Sequence, residues 1–254
     1  MKQSKIKQHM AVVMLFVRSS LYPVLMLSVL MAAAEWLLFH FAWQTLERQY
    51  MDGEAALRNA EVLVDKAGLE LVFFAALGIL TILLAKMERN MGSRPEYTLY
   101  RLNITPKSVC LWQALYNSCC FFLLWAVQAV VAFGLVVYFT HTAKSGLVTN
   151  QSLFLAFYRN DFLHAVLPLE RVAGWGRNIV WFLALGASIA YDVYCSRRGK
   201  HSIWLWALLV GGFASFSKGL GASGLGAAVV LYLVILGVMG YFTLVEGEWA
   251  FDEE

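Results

Sequence analysis

Residues 105–139 read TPKSVCLWQALYNSCCFFLLWAVQAVVAFGLVVYF. Past Lys107 this stretch carries no charge, and its apolar residues fall on every helical face. Thr105 is a capping residue, and Pro106 takes the first helical position, where a missing N–H leaves no bond unmade. As a helix, these 35 residues would run ~50 Å, against a hydrocarbon core of about 30 Å. The stretch therefore reads as a membrane-spanning helix whose first turns project beyond the bilayer.

Five further apolar runs flank it. The spans fall at about 21–43, 69–86, 106–139, 174–195, 202–217 and 225–245. Of the 254 residues, 60% are hydrophobic and only 15% are charged, where a soluble domain carries about 25% charged residues. Mean hydropathy is +0.62. Six crossings consume most of the chain, so residues 1–254 read as a single transmembrane domain with no appended soluble module. The net charge of +3 is too small to argue for nucleic acid. Ala32, Ala33 and Ala34 resemble a leader cleavage site, but the apolar run continues through Trp36, Leu37 and Phe41, so the first span is expected to stay uncleaved.

Residues 1–18 read as a separate element. Lys2, Lys5 and Lys7 precede Ile6, Met10, Val13 and Val17 at helical spacing, the pattern of an amphipathic helix lying on the membrane surface. A frayed extension of the first span is the alternative. Ser19 and Ser20 can cap a new helix, with Pro23 in its first turn. The 140–173 segment forms the longest exterior loop; Leu153, Phe154, Phe157, Phe162 and Leu163 predict a short helix resting in the interface.

Lysine and arginine placement orients the chain. With the N-terminus inside, the inner side holds Lys2, Lys5, Lys7, Arg18, Lys86, Arg89, Arg94, Arg101, Lys107, Arg197, Arg198 and Lys200. The outer side holds Arg48, Arg58, Lys66, Lys144, Arg159, Arg171, Arg177 and Lys218. Both termini are then cytoplasmic, in a multi-pass protein of the cell membrane.

The link between spans 2 and 3 is the most informative loop. Ser93 and Glu96 have capping-box spacing, so a short helix should begin there, with Pro95 in its first turn. Tyr97, Tyr100 and Arg101 can face a partner, with Arg94 and Glu96 beside them as candidate ATPase-coupling residues, while Leu99 and Leu102 can face the membrane domain. Pressure on such a helix would move spans 2 and 3 together. An ordinary loop with interfacial tyrosines fits the same residues.

Within the bilayer, Glu35 is the one deep charge, and a buried ionisable group in a membrane is a functional candidate. A hydrogen-bonded packing residue is the alternative. Gln113, Asn117 and Gln128 on span 3 could line a path or bond between helices. Ser215 with Gly219, and Ala222 with Gly226, have the four-residue small spacing of close helix contacts; they could serve a dimer seam, but the turn between spans 5 and 6 is the favoured reading.

A basic amphipathic N-terminal helix, six spans and a short helix between spans 2 and 3 resemble the permeases of type-2 ABC exporters. Residues 96–107, EYTLYRLNITPK, look like the inner loop of those permeases, where a TLRRLP-(S/T) phrase is common. The resemblance implies that the short helix is a cytoplasmic coupling helix docking on a separate cytosolic ATPase. It also implies a dimer of permeases, paired with itself or a sister chain, driven by two ATPase subunits. Here the link between spans 5 and 6 is short, so the family's gate at the end of span 5 is not carried over.

The chain has no GxxxxGK[ST] loop; Gly219-Leu-Gly-Ala-Ser-Gly224 lacks the lysine. ATP would act on the partner subunit, and no cofactor or metal is expected on this chain. An intramembrane enzyme is disfavoured, since His40, His141, His164 and His201 are scattered. An ion-coupled secondary transporter or a non-transporting scaffold or immunity-type protein are the alternatives. The expected fold is an all-α membrane protein: six transmembrane helices, an interface helix and a coupling helix.

Overall fold

Residue 105–139 chemistry produces one long helix, and eight others surround it among the described residues. The computed structural model describes residues 2–51, 60–89, 105–142, 150–169, 172–196, 202–217 and 221–249. In chain order the helices are α1 (Lys2–Met51), α2 (Ala60–Ala67), α3 (Leu69–Arg89), α4 (Pro106–Thr142), α5 (Asn150–Arg159), α6 (Asp161–Val166), α7 (Val172–Ser196), α8 (Trp204–Ser217) and α9 (Ala222–Trp249). Among the described residues, α1, α3, α4, α7 and α9 are long and apolar enough to cross a membrane. The protein is a multi-pass membrane protein, all-helical among the described residues.

The short helix expected between spans 2 and 3 falls in residues 90–104, outside the described residues. The fifth expected span is α8. Its 14 residues reach only about 21 Å, less than a hydrocarbon core. It nevertheless lies antiparallel along α7. Ser202 N at its start donates to Asp192 Oδ1 (3.4 Å), Trp181 Nε1 donates to Leu208 O (2.9 Å) and Arg177 Nη1 donates to Ser215 O near its end (2.9 Å).

The N-terminal segment differs from expectation. Residues 1–18 do not form a separate surface helix; one uninterrupted helix runs from Lys2 to Met51. Ser19 and Ser20 do not cap a new helix. Both hydroxyls donate back to Phe16 O at 2.9 Å, which keeps the helical path. Pro23 lies inside the helix, a position tolerated in membrane-spanning helices. The first turns stand against α4: Trp112 Nε1 donates to His9 Nδ1 (3.1 Å), and Ser20 Oγ and Tyr116 Oη share a 2.7 Å bond.

Helices α1 and α4 run parallel. His9 meets Trp112, Ser20 meets Tyr116, Glu35 meets Gln128 and Trp43 meets Phe139, with both numbers rising together. Helix α7 runs antiparallel to α4. Cys110 packs with Ala190 and Tyr194, Ser118 with Gly186, Phe121 with Phe182 and Trp125 with Trp175. Helix α7 is the central element, packed on α3, α4, α8 and α9. In its most apolar stretch 67% of residues are buried, against 22–39% in the other four long helices. Lipid tails are as apolar as leucine, so helix association here rests on close packing and hydrogen bonds rather than on water exclusion.

The ends of α3 and α7 and the starts of α4 and α8 define one end of the bundle, termed proximal. The opposite, distal end carries α2, α5 and α6. Gly68 closes α2 with φ +65°, a conformation glycine adopts without steric penalty, and its carbonyl starts α3 by accepting from Leu71 N. The expected interfacial helix of residues 140–173 is two helices joined at Asn160. Asn160 caps α6 by accepting from Leu163 N (2.9 Å) and donates to Asp65 on α2 (2.7 Å). Phe157, Phe162 and Leu163 turn into the bundle, while Phe154 stays exposed. The segment therefore caps the helices instead of only resting on lipid.

Candidate functional site

Helix α4 presents two edges to its neighbours. Trp112 and Tyr116 face α1; Ala114 and Ser118 face α7. At 3.6 residues per turn, Gln113 and Asn117 fall between those edges, toward the bundle interior. Gln128 continues the same stripe and reaches α1.

All four intramembrane polar residues singled out from the sequence are buried: Glu35, Asn117 and Gln128 at 0% exposure and Gln113 at 3%. Each carries a buried atom without a hydrogen-bond partner. These are Glu35 Oε1, Gln128 Oε1, Gln113 Nε2 and both Oδ1 and Nδ2 of Asn117. Buried polar atoms are nearly always paired, so each such orphan calls for a reason. The structure joins Glu35 to Gln128 and leaves Gln113 and Asn117 a separate pair, four residues apart on one face.

Asn117 lies 11 residues from Pro106 at the proximal end, ~16 Å along the helix. Its depth follows from the contact of Ser118 with Gly186. Ser188 is about one half-turn from Gly186, and Ser20 joins Tyr116 beside it. Thr81 lies seven residues past Phe74, which meets Trp181, so it too falls within about 3 Å of this level. The hydroxyls are spent locally: Thr81 donates to Leu77 O, Ser118 to Ala114 O and Ser188 to Leu185 O, each at 2.8 Å. The amides of Gln113 and Asn117 retain unused donors at this level among the described residues, suited to a polar group arriving from outside the chain.

No known protein family matches this chain, and neither does any curated protein or solved structure. The site's chemistry thus stands on its own geometry. It can bind by hydrogen bonds. Among the described residues, no group of three or more His, Cys, Asp or Glu is placed to hold a metal ion. Arg94, Glu96, Tyr97, Tyr100 and Arg101 lie outside the described residues.

Two features escaped the sequence reading. The first is Arg177, counted there as an outer-side charge. It is 3% exposed and inserted among α6, α7 and α8. Nη2 donates to Ala165 O (3.0 Å), Nη1 to Ser215 O (2.9 Å), and Nε and Nη2 to Asn178 Oδ1 (3.0 and 2.8 Å). Its carbon Cζ sits 4.4 Å from the Phe216 ring centroid. Ala165 and Ser215 lie in the last turns of α6 and α8, where carbonyls lack intrahelical partners and the helix dipole is negative. Two helix ends thus take the place of a carboxylate. The second feature is the small-residue seam. Ala114 and Ser118 on α4 face Gly186 and Ala190 on α7. The four-residue spacing of both pairs was visible in the sequence, but which small pairs meet was not.

Proposed function

We propose that this chain is the membrane-spanning permease subunit of an ATP-driven ABC exporter, moving a peptide, lipid or drug-like cargo across the cytoplasmic membrane. The proximal end is cytoplasmic in this reading, with six spans, α8 counted as the fifth, and both termini inside. The observation that carries it is the EYTLYRLNITPK stretch at 96–107, in the link that joins the end of α3 to the start of α4. A cytosolic ATPase pressing on that link would drive α4. Helix α4 is hydrogen-bonded to α1 and in backbone contact with α7, so its movement would be felt across the bundle. Gln113 and Asn117 are then the polar groups a cargo would meet within the bundle.

The test is copurification. An ATPase should travel with the full chain, and Arg94→Glu or Arg101→Glu should weaken that association and stop transport. Undiminished association and transport in both variants would remove the coupling assignment. A second reading, an ion-coupled transporter, is favoured by the buried carboxyl of Glu35. It requires transport in liposomes driven by an ion gradient with no added protein.

A further inference from the structure

Glu35 and Gln128 form a contact in which a buried carboxyl group bridges α1 and α4. Gln128 Nε2 donates to Glu35 Oε2 at 3.2 Å. Glu35 Oε1 and Gln128 Oε1 are both buried and accept from nothing. An ionised carboxylate has only acceptors, and so does an amide oxygen. Two buried acceptors on adjoining side chains therefore lack a donor.

The charged neighbours do not supply it. Arg177 lies at nearly the same depth: nine residues separate it from Gly186 and ten separate Gln128 from Ser118, a difference of about 1.5 Å along the axes. Its donors go to Ala165 O, Ser215 O and Asn178. His40, about one turn and a half further along α1, pairs with Gln44 through Nε2, and its Nδ1 is buried without a partner. Asp65 on α2 accepts from Asn160. Among the described residues, the other charged groups toward this end are Glu47 and Arg48 on α1, Lys66 on α2, Glu70 on α3, Arg159 on α5 and Asp161 on α6. The hydrogen bond of Glu35 is to Gln128.

We propose that Glu35 and Gln128 form a proton-binding site that controls the α1–α4 seam. A proton from water forms an O–H bond on the Glu35 carboxylate, leaving a neutral acid. That O–H donates to Gln128 Oε1 while Gln128 Nε2 still donates to the other carboxyl oxygen. The reciprocal acid–amide pair satisfies both orphan acceptors and leaves no buried charge. Release of the proton sets a carboxylate against an amide oxygen in a dry seam and drives the helices apart. The site is independent of the permease reading, and its test needs neither an ATPase nor a cargo.

Infrared spectra of the full chain in liposomes, with carbon-13 in its glutamates, read the site directly. A protonated carboxylic C=O band that titrates with pH is expected. It should be lost in Glu35→Gln, and move to higher frequency in Gln128→Leu, where the acid loses its acceptor. A labelled spectrum in which Glu35→Gln removes no protonated band at any pH overturns the proposal, as does a Glu35 signal that follows sodium and ignores pH. The seam is read by disulfide formation between Trp43→Cys and Phe139→Cys, whose rings stand 5.2 Å apart, in a chain with its four native cysteines replaced. Raising pH should slow cross-linking severalfold relative to the same pair carrying Glu35→Gln. Identical pH profiles in the two overturn the link between proton and seam.

Discussion

Ser118 and Gly186 hold the backbones of α4 and α7 in direct contact. A Cβ placed on Gly186 would stand 2.5 Å from Ser118 N and 2.8 Å from its Cα. Backbone atoms cannot turn aside as a side-chain tip can. Gly186→Ala should therefore force the helices apart and lower stability by roughly 1–3 kcal/mol or more. Gly226→Ala, at a position with open space around it, should be neutral or stabilising by up to about 1 kcal/mol, because alanine is the better helix former. Thermal unfolding in detergent compares the two; equal effects would contradict the α4–α7 seam.

Gly212 and Trp181 make a second contact of this kind. The buried indole of Trp181 lies directly over Gly212, with Nε1 2.6 Å from where a Cβ would be, and donates to Leu208 O. Gly212→Ala should displace the indole and break that bond. A red-shifted or broadened tryptophan emission, together with a lowered unfolding temperature, is the expected reading. Gly211→Ala, whose nearest neighbour is 4.0 Å away, is the control.

Arg177 holds the ends of α6 and α8 by geometry as well as charge. Arg177→Lys keeps the charge but cannot serve Ala165 O, Ser215 O and Asn178 Oδ1 together. Each buried carbonyl left unpaired costs about 1–3 kcal/mol. Amide hydrogen exchange should rise in α6 and the end of α8 in this variant, with the Ser118–Gly186 region unchanged.

Asn117 offers a split between stability and function. Both of its amide atoms are buried without partners, so Asn117→Leu replaces an unsatisfied amide with a bulkier apolar side chain of the same branching. Stability should hold or rise by up to about 1–3 kcal/mol. If the amide meets cargo, transport should fall in the same variant. A loss of both would mean that Asn117 supports the fold instead.

The upright packing of the first helix is checked by His9→Cys with Trp112→Cys. A short bifunctional thiol reagent should bridge them, since the native rings stand 5.9 Å apart. A helix lying flat on the membrane surface would leave the pair unlinked.

The helical class and membrane setting were legible in residue order alone. Apolar runs of bilayer length, with few charges, leave the backbone no solvent partner and therefore only a helix or a closed barrel. The burial of Glu35, Gln113, Asn117 and Gln128 was likewise readable, because polar side chains inside a span turn away from lipid. Which of them meet was not. Glu35 finds Gln128 across 93 residues of sequence separation, and that pairing depends on α1 and α4 running parallel. The Ser19–Ser20 break failed as a helix boundary for a related reason. A serine hydroxyl caps a new helix or bonds back to the previous turn with equal ease, and packing of Phe16 and Ser20 on Tyr116 chose the latter. Arg177 looked like an interfacial charge from its place at the start of a span; only the convergence of two helix ends gave a buried cation its acceptors. Local hydropathy chooses the solvent for each segment, whereas the partner of a buried polar group is set by helices distant in the chain, and that choice belongs to the tertiary structure.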